Sequence, residues 1–126
     1  MPAQHLPRLV DSITELDTTA SGRDVGCIAI SGSHGGTSSA RYAIAARPLL
    51  TVFNDAGVGL NGAGIAALAL MQQAGLAACT VAHTSARIGE AASTWQTGTI
   101  SHANALAQAL GVQLGQNCQK SLALMV

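Results

Sequence analysis

Charge is what this sequence lacks first. Only 10 % of its 126 residues are charged, six basic against six acidic, where a soluble globular domain carries about 25 %. Zero net charge at 48 % apolar content excludes a disordered chain, which combines low hydrophobicity with high net charge. It also gives no electrostatic footprint for nucleic acid. Long apolar runs are missing too. The longest Ile/Ala/Leu/Met run covers residues 65–71, against the roughly 20 apolar residues a spanning helix needs, so no membrane partner is expected. Arg8 and Asp11 stand where a signal peptide would place its apolar stretch, and a cytoplasmic location is the expectation. Cysteine is sparse: Cys27, Cys79 and Cys118 form no C-x-x-C pair and read as small core hydrophobes in a reducing compartment.

What is there instead is small. The chain holds 24 Ala, 14 Gly, 10 Ser and 10 Thr, so its polarity is mostly hydroxyls and backbone. A single domain over residues 1–126 is expected at this length, with an acidic arm (1–24) and a charge-poor body (25–126). Asp11, Glu15, Asp17 and Asp24 lie in the arm. The body has only Asp55 and Glu90 as acids, with Arg41, Arg47, Arg87 and Lys120 as bases. A surface that poor in charge is expected to be buried against other copies or a larger complex.

The body repeats one theme. Residues 25–30 (VGCIAI), 49–53 (LLTVF) and 76–82 (LAACTVA) are apolar runs without alternation, the pattern of parallel strands covered on both faces. Between them, helices are predicted near residues 38–47, capped by Thr37 or Ser38, and 61–74, capped by Asn61 and closed by Gly75. Helical spacing of Leu6, Leu9, Val10, Ile13 and Leu16 predicts an N-terminal helix, with a short strand as the alternative. Residues 84–99 read as a polar loop. A helix is expected from Ser101 to Gly111, and a last one at about 116–125. The implied architecture is a small three-layer, Rossmann-like βαβαβα domain with a short parallel sheet.

In such sheets ligands bind beyond the carboxyl ends of the strands. After the first strand comes Ser31-Gly32-Ser33-His34-Gly35-Gly36-Thr37, a glycine-rich stretch opening onto a helix, which predicts an anion site for phosphate or carboxylate. It lacks the Gly-Lys-Ser/Thr ending of a nucleotide P-loop. Ser33, Asp55 and His83 follow the chain order of an α/β-hydrolase triad, but the match to a nucleophile elbow is partial and the chain is short for that fold.

After the second strand comes Asn54-Asp55, then a literal G-x-G-x-x-G over residues 57–62. No acid lies about 20 residues on to hold a ribose, so these are read as turn glycines and no cofactor is expected. After the third strand come His83, Arg87 and Glu90. Histidine titrates near neutral pH, and arginine offers a bidentate fork for an acidic group. Asp55, His83, His34 and Glu90 are therefore the candidate acid/base residues. Ser31, Gly32, Ser33, Gly35, Gly36, Thr37, Asn54 and Arg87 are the candidate contacts for a small anionic metabolite. The same His/carboxylate set lacks metal-ligand spacing, and no metal is assigned. Trp95 is expected at an interface or a pocket wall, and His102 at the first turn of a helix, facing the same edge or solvent. An enzyme of hydrolase or lyase type, or the small subunit of one, is the reading these residues favour. A non-catalytic binding or assembly module, homo-oligomeric or part of a complex, is the alternative.

Overall fold

A computed structural model describes residues 7–126. Five strands form one sheet in the order β1 (Pro7–Val10), β2 (Ile28–His34), β3 (Leu50–Asn54), β4 (Ala77–Val81), β5 (Ile100–Ala103). The first four are parallel and β5 runs antiparallel to β4. The three apolar runs of the body thus become the three central strands, buried on both faces as unalternating sequences require. The fold is α/β with a mostly parallel sheet, as the sequence predicts.

Helix α1 (Thr37–Ala46) links β2 to β3, and α2 (Ala66–Gln73) links β3 to β4. Because both crossovers step the same way along the sheet and share one hand, both helices pack on one face, against each other. Phe53, Ala29, Ala40, Ala43 and Met71 form the core there. The opposite face buries Ile28, Ile30, Leu50, Val52, Cys79, Val81 and Ile100 beneath α3 (Ala91–Thr97), α4 (Ala105–Ala109) and α5 (Cys118–Ser121). Alanine supplies much of this packing.

Several local expectations are corrected. In the arm the described residues form the short strand of the alternative reading, β1, and a 3-10 turn at Ile13–Glu15, not a helix; Leu6 lies outside the described residues. Pro7 is tolerated because it opens an edge strand, and Ser12 with Glu15 closes a capping box. The first central strand starts at Ile28 and continues to His34, so most of the predicted glycine-rich loop is strand. Gly32 permits this: a Cβ there would collide with the backbone of Gly89 and Glu90.

The predicted helix at 61–74 shortens to α2, because Ala56, Gly57, Val58, Gly59, Asn61 and Gly62 all take positive φ. Asn61 is therefore no helix cap, and the three glycines of the G-x-G-x-x-G sequence serve a left-handed turn. The predicted loop at 84–99 contains α3, whose Trp95 packs against the second core. The helix expected from Ser101 is instead β5, and the cap belongs to Asn104. That buried side chain accepts from Ala78 and Ala107 N–H and donates to the Leu68 and Leu76 carbonyls, an anchor that fixes where α4 starts.

The four acids of the arm each have a partner. Asp11 accepts from Ala91 N–H at 2.9 Å and so caps α3. Glu15 completes the capping box. Asp17 closes a turn through Thr19, Ser21 and Arg23, and Asp24 pairs with Arg8 at 3.2 Å. Cys79 and Cys118 are buried and Cys27 half-buried, all three free. Burial pushes the Cys118 thiol up to about 12 and the Cys27 thiol up to about 11, which disfavours the thiolate at neutral pH. Among the described residues no helix is long and apolar enough to cross a membrane.

Candidate functional site

The carboxyl ends of β3 and β4 lie side by side, and Asp55 is the first residue beyond β3. Its own N–H donates to the Val81 carbonyl at 2.9 Å, which seats it between the two strand ends. The side chain is only 7 % exposed. Oδ1 accepts from Gly57 N–H at 2.8 Å and from His83 N–H at 3.0 Å. Gly57 can turn its N–H back in this way because it sits at φ +76°, and a Cβ there would also come within 3.4 Å of the His83 ring.

Two imidazoles face this carboxylate. His83 Nδ1 lies 3.5 Å from Oδ1, and His102 Nδ1 lies 4.0 Å from Oδ2. On the His102 side, Thr80 Oγ1 and Ser101 Oγ are 2.9 Å apart, and His102 Nδ1 is 3.2 Å from Ser101 Oγ. Burial pushes the Asp55 carboxyl upward. The Gly57 N–H, the Ser101 hydroxyl, the His83 N–H and the His83 charge together outweigh that, and hold it below its ordinary value. Asp55 is therefore an anion at neutral pH, with the Nδ1 of His83 3.5 Å from its Oδ1.

His83 also lines an open cleft of about 690 Å³, with Thr84, Ser85, Arg87, Ile88, Ser93 and Thr97 among its walls. Most of the hydroxyls here are committed. Ser85 donates to the Ala82 carbonyl and accepts from Thr99 N–H, Ser93 accepts from Arg87 N–H, and Thr97 donates to the Ser85 carbonyl. Arg87 is 81 % exposed, with Glu90 3.8 Å away, so its guanidinium is available at the rim. Asn54 is fully buried; it donates to the Ala86 carbonyl at 3.1 Å and accepts from Ala56 N–H at 2.8 Å, pinning the cleft wall to β3.

The other sequence candidates are placed as follows. Ser31 is buried and donates to the Val52 carbonyl, and Ser33 accepts from Ile13 N–H. Gly32 passes beneath the Gly89–Glu90 backbone. Gly35 bonds Asn54 and Ala67 through its backbone, and Gly36 caps α1 with Thr37 exposed as its first residue. His34 is exposed at the end of β2, its ring against Gly36, beside a separate pocket of about 210 Å³ on the α1 side. Among the described residues no hydrogen bond or ion pair joins His34 or Glu90 to Asp55.

The structure thus brings Asp55 and His83 together, with Arg87 along the same cleft, and leaves His34 and Glu90 outside that contact. Among the described residues no group of three or more His, Cys, Asp or Glu is placed to hold a metal ion. Thr80 and Ser101 lie outside the sequence candidates, and His102, expected in the first turn of a helix, stands instead on β5. The β-branched pair Thr99-Ile100 after Gly98 is the one sequence signal for the strand that delivers two of them. Comparison with protein-family models, curated proteins and solved structures finds no match.

The depressed Asp55 carboxyl makes stability depend on acid. A carboxyl lower in the folded than in the unfolded chain stabilises fully above the unfolded value, near 3.8, and stops doing so as pH falls through the folded one. Urea unfolding between pH 6 and about 2 is expected to show stability falling below pH 4, with a shallower fall in Asp55→Asn. Parallel curves for the two proteins would contradict the assignment.

Proposed function

We propose that this protein is an enzyme, or the small subunit of one, that performs acid/base chemistry of hydrolase or lyase type on a small anionic metabolite. The observation that carries the reading is the buried Asp55 carboxylate set against His83 at the wall of a cleft with Arg87 on its rim. In this reading Asp55 holds the His83 ring by Nδ1 and stabilises the imidazolium that forms when Nε2 takes a proton. Arg87 contacts the carboxylate or phosphate of the substrate through its fork. Arg87 is favoured over the Ser31–Thr37 stretch for this contact because the Ser31 and Ser33 hydroxyls already have partners. Three free cysteines fit a reducing, cytoplasmic compartment.

A homo-oligomer is part of the same proposal. Leu60 is 85 % and Ile88 55 % exposed, both close in sequence to site residues, on a body with few charges to keep it apart from its own copies. Neither nucleic acid nor a membrane is invoked as a partner. The non-catalytic alternative, a binding or assembly module, draws on the same apolar positions.

Two measurements test these statements. In a screen of small carboxylates and phosphates, Asp55→Asn is expected to lower turnover about 10²–10⁴-fold. Its melting temperature should stay within a few degrees, because an amide oxygen still accepts from Gly57 and His83. Undiminished turnover would remove Asp55 from the chemistry. Light scattering at micromolar concentration is expected to give a multiple of 12.6 kDa; a sharp monomer mass contradicts the oligomer.

A further inference from the structure

Helix α1 packs on the face of the sheet opposite α3, and its first turn is uncapped. Gly36 supplies no side-chain cap, and Ala40 N–H is the first to find an acceptor, the Gly36 carbonyl at 3.1 Å. Among the described residues nothing accepts from the N–H groups of Thr37, Ser38 and Ser39, and no acid stands in the turn to meet their partial positive charge. Glycine at position 36 also brings a side chain close. A Cβ there would meet the His34 ring at 2.6 Å, so its absence lets the imidazole lie against the start of the helix.

Ser39 points the same way on separate grounds. It is only 6 % exposed, yet its hydroxyl has no hydrogen-bond partner among the described residues. Thr51 Oγ1 is the one fully enclosed side-chain polar atom there without a partner. The Ser39 hydroxyl is therefore reached from outside, through the pocket of about 210 Å³ that Ser39 lines with His34, Ser38 and Tyr42. A buried hydroxyl left unbonded is costly, and a ligand entering this pocket would satisfy it.

The pocket continues along the helix. A neighbouring one of about 400 Å³ shares Ser38 and Tyr42 with it and adds Arg41. Arg41 is exposed and joins no ion pair among the described residues. Tyr42, the only tyrosine, is 44 % exposed and stands in the wall of both pockets. Among the described residues no acid lines either one. The Glu15 carboxylate, on the turn packed against α1, is held by Ser12 N–H at 2.9 Å.

We propose that this groove binds a small organic phosphate monoester. The phosphate sits on the Thr37, Ser38 and Ser39 N–H groups and the Ser39 hydroxyl, and the organic part lies along Tyr42 beside Arg41. Free donors with no facing carboxylate select an anion. Three N–H groups and a hydroxyl match the spread oxygens of a phosphate better than the two of a carboxylate. Arg41 supplies positive charge, and the half-exposed Tyr42 ring gives the organic part a flat apolar wall. An exposed helix end alone holds a bare anion only weakly, so the organic part carries much of the affinity. The site is independent of the reading of Asp55 and His83.

Phenyl phosphate is the probe and inorganic phosphate its comparison, each titrated into the isotopically labelled protein. Phenyl phosphate is expected to move the Thr37, Ser38 and Ser39 amide signals and the Tyr42 ring signals to saturation. Inorganic phosphate, with nothing to rest on Tyr42, is expected to bind there about tenfold more weakly. Ser39→Ala should weaken phenyl phosphate roughly 10- to 100-fold, the loss of one hydrogen bond to a charged group. Its melting temperature should not change, because the hydroxyl bonds nothing in the free protein. Arg41→Gln, on the exposed side, should weaken binding several-fold and decides the matter if Ser39→Ala does not fold. Unmoved α1 amides, or variants that bind like the wild type, overturn the site. Equal affinity for the two probes overturns the ester. Signals of Gly57, His83 and Arg87 report the other cleft, so the failure of either reading is seen apart from the other.

Discussion

A single buried carboxylate holds the carboxyl edge of this sheet together. Asp55 follows β3, bonds the backbone of β4 through its own N–H, accepts from the first residues beyond both strands, and is approached from β5 by Ser101 and His102. Burying a carboxylate without partners would cost several kcal/mol. Here two backbone N–H groups and a hydroxyl supply the compensation. The left-handed turn after it, with Ala56 and Val58 at positive φ, is a conformation that non-glycine residues adopt only when their surroundings impose it. The Asp55 contacts are part of that imposition, and the turn in turn places Gly57 under the His83 ring.

Scarcity of charge means something different in the two parts of the chain. In the arm, Asp11, Glu15, Asp17 and Asp24 cap a helix, close a box, close a turn and pair with Arg8, so each carboxylate fastens backbone. Asp11 even reaches across the sheet edge to fix α3, which carries Ser93 and Thr97 on the cleft wall. In the body, Asp55 faces two histidines while Glu90 stays exposed beside Arg87.

The sheet was legible because three buried strands read as unbroken apolar runs, and β2, β3 and β4 fall on them. The strand-end rule points to Asp55 and His83, and the structure sets these two side by side. What escaped has physical causes. Strand β5 covers only four residues, and its Ser101 and His102 carry no apolar signal; Ser101 looked like a helix cap because the true cap, Asn104, takes its identity from tertiary bonds to Leu68, Leu76 and Ala78. The Ser31–His34 stretch looked like a loop because its glycine and serines suit one, yet Gly32 is there for the close passage of residues 89–90. Local sequence leaves His102 facing either the site edge or solvent, and pairing with β4 is what brings it to the carboxylate.

Small anionic metabolites are proposed to meet this protein at the Asp55 edge, between β4 and the cleft wall. The most direct measurement is a titration of the isotopically labelled protein with inorganic phosphate and with succinate, followed through its amide signals. The shifted signals are expected to cluster at Gly57, His83 and Arg87. Shifts clustered instead at Thr37 and Ser38, around the start of α1 and His34, would contradict it.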